Sequence, residues 1–258
     1  MIVKDILQYL ESIFPYELAC DFDKNKIGLT IGNENNNVNG ILLALDLTNE
    51  VIEEAKNKGC NLIVSHHPFI FSPITKVLYN DEKGELIYRM VKNDMSLIAM
   101  HTNMDLGLNG VADSLCELLK LKNSNILSFN KDDLMRYGNI DEVSLYELSK
   151  NLKNIFNLDG LKVVGDLDSK INKIGIIGGS GGTEYYIDEA INNGCQCFIT
   201  GEIKHHIALY AKYKNICLIE VNHGIEKIVF NSLLKSIKDK FDVNVFISEI
   251  DSNLFKFL

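Results

Sequence analysis

Residues 40–68 have the sequence GILLALDLTNEVIEEAKNKGCNLIVSHHP. The apolar run Gly40–Leu45 predicts a buried strand, and Asn49–Lys58 predicts a helix that ends at Gly59. A second apolar run, Asn61–Ser65, predicts another buried strand. A strand, a helix and a strand, with both strands continuously apolar, are typical of a parallel βαβ unit. This stretch therefore predicts an α/β fold with a parallel sheet.

The same pattern occurs a second time, 135 residues further along the chain. Gly175–Ala190 matches Gly40–Ala55 in length, and Glu189–Cys195 aligns with Glu54–Cys60. Each copy is followed by a further helix and one more apolar strand. The shared offset and order predict two similar α/β subdomains that arose by internal duplication.

The domain organisation follows from this duplication and from a polar segment, Asn123–Asp133, between the two copies. We expect the first α/β subdomain over residues 1–125 and the second over residues 126–221. Residues 222–258 contain the last predicted helix, from about Ile225 to Phe241, and a final predicted strand. We expect this last segment to return to the first subdomain.

The composition excludes several functional classes. The 258 residues are 46% apolar and carry a formal net charge of −9, which argues against non-specific nucleic-acid binding. No apolar run approaches the length of a membrane span, and Lys4 and Asp5 are untypical of a signal peptide. The six cysteines form no CxxC pair, and Cys60 and Cys195 at strand starts are expected to be buried rather than reactive. We therefore expect a cytoplasmic protein without a membrane or nucleic-acid partner.

The six histidines lie at or just beyond predicted strands or in the following loop. Ligands of open α/β sheets bind just outside the carboxyl ends of the strands, so this distribution indicates a site. His66 and His67 follow the strand Asn61–Ser65, and Pro68 prevents the strand from continuing. They are candidate metal ligands, and the alternative is one capping and one exposed histidine.

Two further groups of candidate residues follow later strands. Asp105 is a hard oxygen ligand that could bridge two cations, and His101 is a candidate ligand, proton carrier or orienting residue. The alternative for His101 is a histidine bonded to the backbone. His223 and Glu226 stand at positions i and i+3 at the start of the predicted last helix. They share one helical face, and the helix dipole favours a carboxylate there, so both can converge on one ion.

The candidate metal ligands combine three imidazoles with two carboxylates. They are His66, His67, Asp105, His223 and Glu226. Such nitrogen and oxygen donors favour Zn, Mn, Fe, Co or Ni over Ca or Mg. Five side chains are too many for one tetrahedral site and suit two divalent ions about 3.5–4 Å apart. Two divalent cations outweigh two carboxylates, so the predicted centre would attract a small anionic substrate.

Two other segments are candidates for the surroundings of the site. Gly178–Gly182 follows a predicted strand, and its backbone N–H groups could cradle an anion, although a tight strand-to-helix turn is the alternative. Thr200–His206, which includes His205 and His206, takes the place of Ser65–His66 in the second copy. We expect it to line the cleft, with a second metal site as the alternative.

These motifs, in their order along the chain, resemble those of the Nif-three-like dinuclear-metal proteins, also known as homologues of GTP cyclohydrolase I type 2. The resemblance covers nearly the whole chain. Its principal motifs are Ser65–Phe71, His101–Asp105, Gly178–Gly181, Thr200–Glu202 and Asn222–Glu226. Phe22 stands where the family usually has Trp, and Asn222 stands where Gly is common.

The resemblance implies a two-subdomain α/β fold, the Nif-three-like fold, and a metal pair held by the same five residues. It also implies a toroidal homohexamer whose metal sites face an inner cavity. The cyclohydrolase name suggests hydrolysis of a nucleotide.

Three hypotheses for function remain open on the sequence alone. The first is a metal-dependent hydrolase that opens the purine ring of GTP or attacks a related anionic substrate, with His101 as the candidate catalytic proton carrier. The alternative is a non-enzymatic metal-binding, metal-delivery or regulatory protein. A third is an acidic scaffold with structural histidines, which would hold no metal tightly.

Overall fold

The computed structural model describes residues 1–126 and 133–257, and the chain divides into two compact units. The first unit comprises Met1–Gly110 together with Val229–Ser252, and the second comprises Val111–Ile228 together with the residues from Asn253 onward. Each unit contains one β-sheet and several helices, which confirms the predicted α/β class.

The sheet of the first unit has five strands in the order β1-β4-β3-β2-β11. In chain order they are β1 (Gly28–Ile31), β2 (Gly40–Ala44), β3 (Leu62–Ser65), β4 (Ser96–Ala99) and β11 (Asn244–Ile247). Strands β4, β3, β2 and β11 are parallel, and β1 pairs with β4 in the antiparallel sense. The helices of this unit are α1 (Val3–Ile13), α2 (Asn49–Asn57), α3 (Glu82–Lys92), α4 (Thr102–Leu106) and α9 (Val229–Lys240).

The core of the first unit explains the continuous apolar runs of its strands. Every residue of β2, β3 and β4 is buried, as expected for a parallel sheet covered on both faces. Alternate side chains such as Leu42 and Ile63 pack with Ile52 of α2 and Met90 of α3 in one apolar cluster. Helix α9 contacts β2 and β11.

The sheet of the second unit has six strands in the order β5-β6-β8-β9-β10-β7. They are β5 (Lys122–Ile126), β6 (Arg136–Ser144), β7 (Lys162–Val164), β8 (Lys170–Ile176), β9 (Cys197–Thr200) and β10 (Cys217–Glu220). Strands β8, β9 and β10 are parallel, and the other pairings are antiparallel. The helices are α5 (Val111–Leu118), α6 (Leu145–Ile155), α7 (Glu184–Asn192) and α8 (His205–Tyr213).

The two units repeat one topology, which agrees with the predicted duplication. The neighbours β4-β3-β2 of one sheet correspond to β10-β9-β8 of the other, and an antiparallel strand flanks each set. The local signals are repeated as well. The side chains of Thr48 and Thr183 cap the N-termini of α2 and α7. Gly59 and Gly194, with φ of +71° and +75°, follow the ends of these helices.

The boundaries in the structure differ from the predicted ranges 1–125, 126–221 and 222–258. The second unit begins at Val111, and the segment that returns to the first unit is Val229–Ser252. The predicted last helix, from about Ile225 to Phe241, was wrong at its start. His223–Ile228 forms a 3-10 helix, and the α-helix begins only at Val229.

No helix among residues 1–126 and 133–257 is long and apolar enough to cross a membrane.

Candidate metal-binding residues

The first candidate ligands stand where β3 ends. Strand β3 ends at Ser65, and the backbone N–H groups of His66 and His67 donate to the carbonyl oxygens of Ala44 (3.1 Å) and Leu45 (2.9 Å). The two imidazole rings lie 5.0 Å apart between centroids, at an interplanar angle of 49°. Both rings can therefore reach the same site, as expected of two metal ligands.

His101 completes a group of three imidazoles in the first unit. Its ring centroid lies 5.3 Å from that of His66 and 5.7 Å from that of His67. One donor nitrogen from each ring lies within 4.8 Å of the others, a spacing that could hold a metal ion. His66 is fully buried and the other two rings are partly exposed.

The Nδ1 atoms of His66 and His67 are held by oxygen acceptors. His66 Nδ1 donates to the carbonyl oxygen of Met100 at 3.1 Å, and His67 Nδ1 lies 2.7 Å from Asp46 Oδ1. Metal-ligating histidines usually donate one ring N–H to a carbonyl or carboxylate in this way, which leaves Nε2 as the ligand atom. These hydrogen bonds therefore set both rings in the tautomer that metal binding needs.

His101 is paired with a buried carboxylate, Asp23. His101 Nδ1 lies 2.9 Å from Asp23 Oδ1, and Thr102 donates to Asp23 Oδ2 from its backbone N–H (3.1 Å) and its hydroxyl (2.5 Å). Burial raises the pKa of Asp23, but the hydrogen bonds and ion pair with His101 and Thr102 lower it by more. Asp23 is therefore an ionised acceptor that orients the His101 ring, and the alternative of a histidine bonded only to the backbone was wrong.

Asp105 joins the imidazole group from α4. Its Oδ1 atom lies 3.6 Å from His66 Nε2, and its backbone N–H donates to the carbonyl oxygen of His101 at 3.0 Å. Asp105 is 9% exposed. The turn that begins at His101 therefore directs a carboxylate toward the ring of His66.

The second unit holds the other two predicted ligands. His223 Nε2 lies 3.2 Å from Glu226 Oε2, and Glu226 is 4% exposed. The 3-10 conformation brings positions i and i+3 directly above each other, which explains this contact. His223 Nδ1 lies 2.7 Å from Glu202 Oε1, so this ring is oriented in the same way as His67.

The glycine-rich stretch makes room for the Glu226 carboxylate. A Cβ atom on Gly178 would lie 2.9 Å from Glu226 Oε1, and one on Gly179 would lie 2.5 Å from the same atom. Gly179 also has a φ of +55°, which disfavours any other residue. Gly178 and Gly179 therefore allow the backbone to approach Glu226 closely.

Within each unit, the structure brings the predicted site residues together as a group. His66, His67, His101 and Asp105 belong to the first group, and His223 and Glu226 to the second. His205 and His206 are exposed at the start of α8 and belong to no metal-ligand group found among residues 1–126 and 133–257.

Three carboxylates orient the rings, a role that the sequence analysis did not assign to them, although it expected Thr200–His206, which contains Glu202, to line the cleft. They are Asp23, Asp46 and Glu202. Asp46 and Glu202 each stand two residues beyond a strand, so the rule that identified the histidines could have found them. Asp23 lies in an irregular segment of short 3-10 turns, where no such signal exists.

The predicted buried thiols agree with the structure. Burial raises the pKa of Cys60 and of Cys195 to about 11, so neither is a nucleophile at neutral pH.

The donors in these groups fit a divalent transition metal. They are imidazole nitrogens and carboxylate oxygens, the combination preferred by Zn, Mn, Fe, Co and Ni.

Comparisons with known proteins agree on one family. The Duf34/NIF3 (NGG1p interacting factor 3) family model matches residues 1–254. A Clostridium acetobutylicum protein named GTP cyclohydrolase 1 type 2 homolog is 31% identical, over 99% of this chain and 98% of its own length. A crystal structure of a Staphylococcus aureus hypothetical protein, 31% identical, superposes with a TM-score of 0.91 over 100% of this chain and 99% of its own.

A Bacillus cereus protein related to NIF3, 24% identical, has the same fold, with a TM-score of 0.92 over 100% of this chain and 99% of its own. The match of the family model over nearly the whole chain, together with relatives of similar length, shows that the chain belongs to the Duf34/NIF3 family.

Proposed function

We propose that this protein binds two divalent transition-metal ions per chain and uses them to hydrolyse a nucleotide or another small anionic substrate. The proposed ligands are His66, His67, Asp105, His223 and Glu226.

One observation carries the proposal. The Nδ1 atoms of the three proposed histidine ligands, His66, His67 and His223, all lie within hydrogen-bond distance of a carbonyl or carboxylate oxygen. Metal-ligating histidines need this arrangement to present Nε2, and here all three proposed histidine ligands share it. The Nε2 atoms of His66 and His223 each lie close to a carboxylate, as mixed ligation requires.

The residues of the chain would have separate roles in catalysis. Bound divalent ions would supply a Lewis acid and lower the pKa of a water molecule. His101 would accept or donate a proton at Nε2, because Asp23 accepts a hydrogen bond from Nδ1 and orients the ring. The burial of Asp105 and Glu226 restricts the access of water to their carboxylates.

The substrate class follows from charge and from the relatives. The proposed cations outweigh the two ligand carboxylates, so an anion is attracted although the whole chain carries −9. The relatives are named for a GTP cyclohydrolase, which makes GTP the first nucleotide to test.

We also propose the cytoplasmic location expected from the composition and the toroidal homohexamer that the family resemblance implies. Native mass spectrometry of the purified protein should give the mass of six chains, and a monomer or dimer would refute the hexamer.

Elemental analysis and turnover assays test the function. Purified protein should contain about two transition-metal ions per chain, and metal-loaded protein should hydrolyse GTP or another member of a nucleotide and phosphoester panel. Asp105→Ala and Glu226→Ala should abolish turnover, whereas His206→Ala on the exposed start of α8 should leave it unchanged. Protein that is inert on the panel but transfers its metal to an apo-enzyme would support the metal-delivery alternative and refute the hydrolase.

A further inference from the structure

The second unit contains a cavity of about 470 Å³ beside His223. Its walls come from the turn before β7, the residues that follow β9 and β10, and the C-terminal residues 255–257. The volume lies within the range of sites that bind small molecules, about 300–1,000 Å³.

The C-terminal wall is held in place by specific contacts. Asn253 Oδ1 accepts hydrogen bonds from Asn222 Nδ2 at 2.7 Å and from the backbone N–H of Phe255 at 3.3 Å. A Cβ atom on Gly160 would lie 2.6 Å from the Phe257 ring, so the absence of a side chain at Gly160 lets the ring pack there.

The cavity contains aromatic rings and lysines that have no acidic partner among the residues described by the structure. The rings of Phe255 and Phe257 are 73% and 50% exposed. Lys204 and Lys256 also line the cavity, and within residues 1–126 and 133–257 neither forms an ion pair. Exposed rings and unpaired ammonium groups together favour a ligand with a planar ring and an anionic group.

The acidic groups of the cavity are already engaged. Glu220 Oε1 pairs with Lys162 Nζ at 2.6 Å, and Glu220 Oε2 accepts from the backbone N–H of Ile203 at 2.9 Å. Glu202 accepts from His223. The positive charge of Lys204 and Lys256 is therefore left for a ligand.

A second cavity, in the first unit, has more acidic than basic lining residues. It measures about 580 Å³ and is lined by four glutamates. Its two cations, Lys58 and Arg89, both pair with glutamates of the same cavity. Such a lining repels anions, so the cavity beside His223 is the better candidate for an anionic ligand.

We propose that the cavity beside His223 binds a nucleoside phosphate, with its base on Phe255 and Phe257 and its phosphates on Lys204 and Lys256. This inference deepens the proposed function and rests on it, because it identifies the substrate class and locates the substrate next to a proposed metal ligand.

Calorimetric titration of chelator-treated protein tests the proposal without metal or turnover. The probes are GTP, guanosine and tripolyphosphate, and GTP should bind at least about tenfold tighter than either fragment, since it makes both kinds of contact. Equal binding of GTP and tripolyphosphate would overturn the proposal, because the rings would then contribute nothing.

Two variants test the proposed phosphate contacts and the proposed base contacts separately. Lys204→Met combined with Lys256→Met should weaken GTP about tenfold and leave guanosine unchanged, because two charge-assisted contacts are lost. Gly160→Ala, which displaces the Phe257 ring, should weaken both GTP and guanosine. An unchanged affinity for GTP in both variants would refute the proposal.

Matched control variants remove two lysines and one aromatic ring that lie outside the cavity. Lys238→Met combined with Lys240→Met removes two exposed lysines of α9, and Tyr213→Leu removes a ring that is 82% exposed. Neither control should change the affinity for GTP. Metal analysis before chelator treatment tells the two proposals apart, because protein that is purified without metal but binds GTP as predicted contradicts only the proposed function.

Discussion

Equivalent strands of the two units are followed by residues of different chemistry. Strand β3 is followed by His66 and His67, whereas its counterpart β9 is followed by Gly201 and Glu202. In the first unit both residues are candidate ligands, while in the second Glu202 orients the ring of His223. The comparison teaches that the fold provides the position beyond each strand, and the residue placed there determines whether it binds a metal or orients a ligand.

The next pair of strands shows the opposite case. Strand β4 is followed by His101 and Asp105, and its counterpart β10 is followed by His223 and Glu226. Both copies therefore carry a histidine with a carboxylate three or four residues later. In the first copy the two residues belong to an α-helical turn, and in the second to a 3-10 turn.

The largest expected effect comes from the first unit, which holds the denser group of donors. His66→Ala should lower metal affinity by more than about 100-fold, since loss of only an orienting partner already costs about 10- to 100-fold. Calorimetric titration of chelator-treated protein with Zn²⁺ measures this effect, and circular dichroism checks that the variant is folded. His206→Ala is the control. An unchanged affinity for Zn²⁺ in His66→Ala would contradict the assignment of His66 as a metal ligand.

Gly179→Ala tests the second unit. The added Cβ would displace Glu226, and we expect metal affinity to fall by about 10- to 100-fold. The positive φ should also cost about 1 kcal/mol of stability. Gly194→Ala is the matched control, because Gly194 has a φ of +75° but no atom within 4 Å of its Cβ position. Equal metal affinity in the two variants would show that Glu226 is no ligand.

Removal of an orienting carboxylate should lower metal affinity by less than removal of a ligand. The effect should be similar in the two units. Asp46→Ala and Glu202→Ala each remove the acceptor for one Nδ1 atom, and each should lower metal affinity about tenfold. Asp46→Asn and Glu202→Gln keep an acceptor oxygen and should lose less. If Glu202→Ala has no effect in the same titration, only the first unit orients its ligands by carboxylates.

The smallest effect concerns stability against acid. Burial raises the pKa of Glu54, but hydrogen bonds from Ser248 and the backbone of Glu249, together with Lys58, lower it below its usual value. Because the folded pKa lies below the unfolded one, this stabilisation is present above about pH 5 and is lost as the pH falls through the folded pKa.

Glu54→Gln should therefore cost about 1–2 kcal/mol at pH 7 and flatten the dependence of unfolding free energy on acid pH. Urea unfolding between neutral and acid pH measures both quantities. The equivalent residue of the second copy, Glu189, accepts from Asn192 of its own helix, so Glu189→Gln is the matched control. A profile for Glu54→Gln that parallels the wild type would contradict the assignment.

The sequence predicts those features that depend on local signals. Gly59 was predicted to end α2 because a left-handed glycine acts within one turn of the helix. The histidines were predicted as site residues because the ends of parallel strands share one edge of a sheet.

Features that depend on distant contacts were not predictable in this way. Asp23 meets His101 across 78 residues of chain, and no periodic pattern marks its segment. The 3-10 turn at His223 has the same i and i+3 spacing as a helical turn, so spacing alone cannot tell them apart.

The pairing of β11 with β2 has a consequence for biosynthesis. Val245 lies beside Ile41 in this pairing, and the ribosome makes β11 only after Val111–Ile228, the main segment of the second unit. Until then, one edge of β2 in the nascent chain offers unpaired backbone groups to any passing strand. A premature stop codon anywhere before residue 244 would thus release a polypeptide whose N-terminal half cannot complete its own sheet.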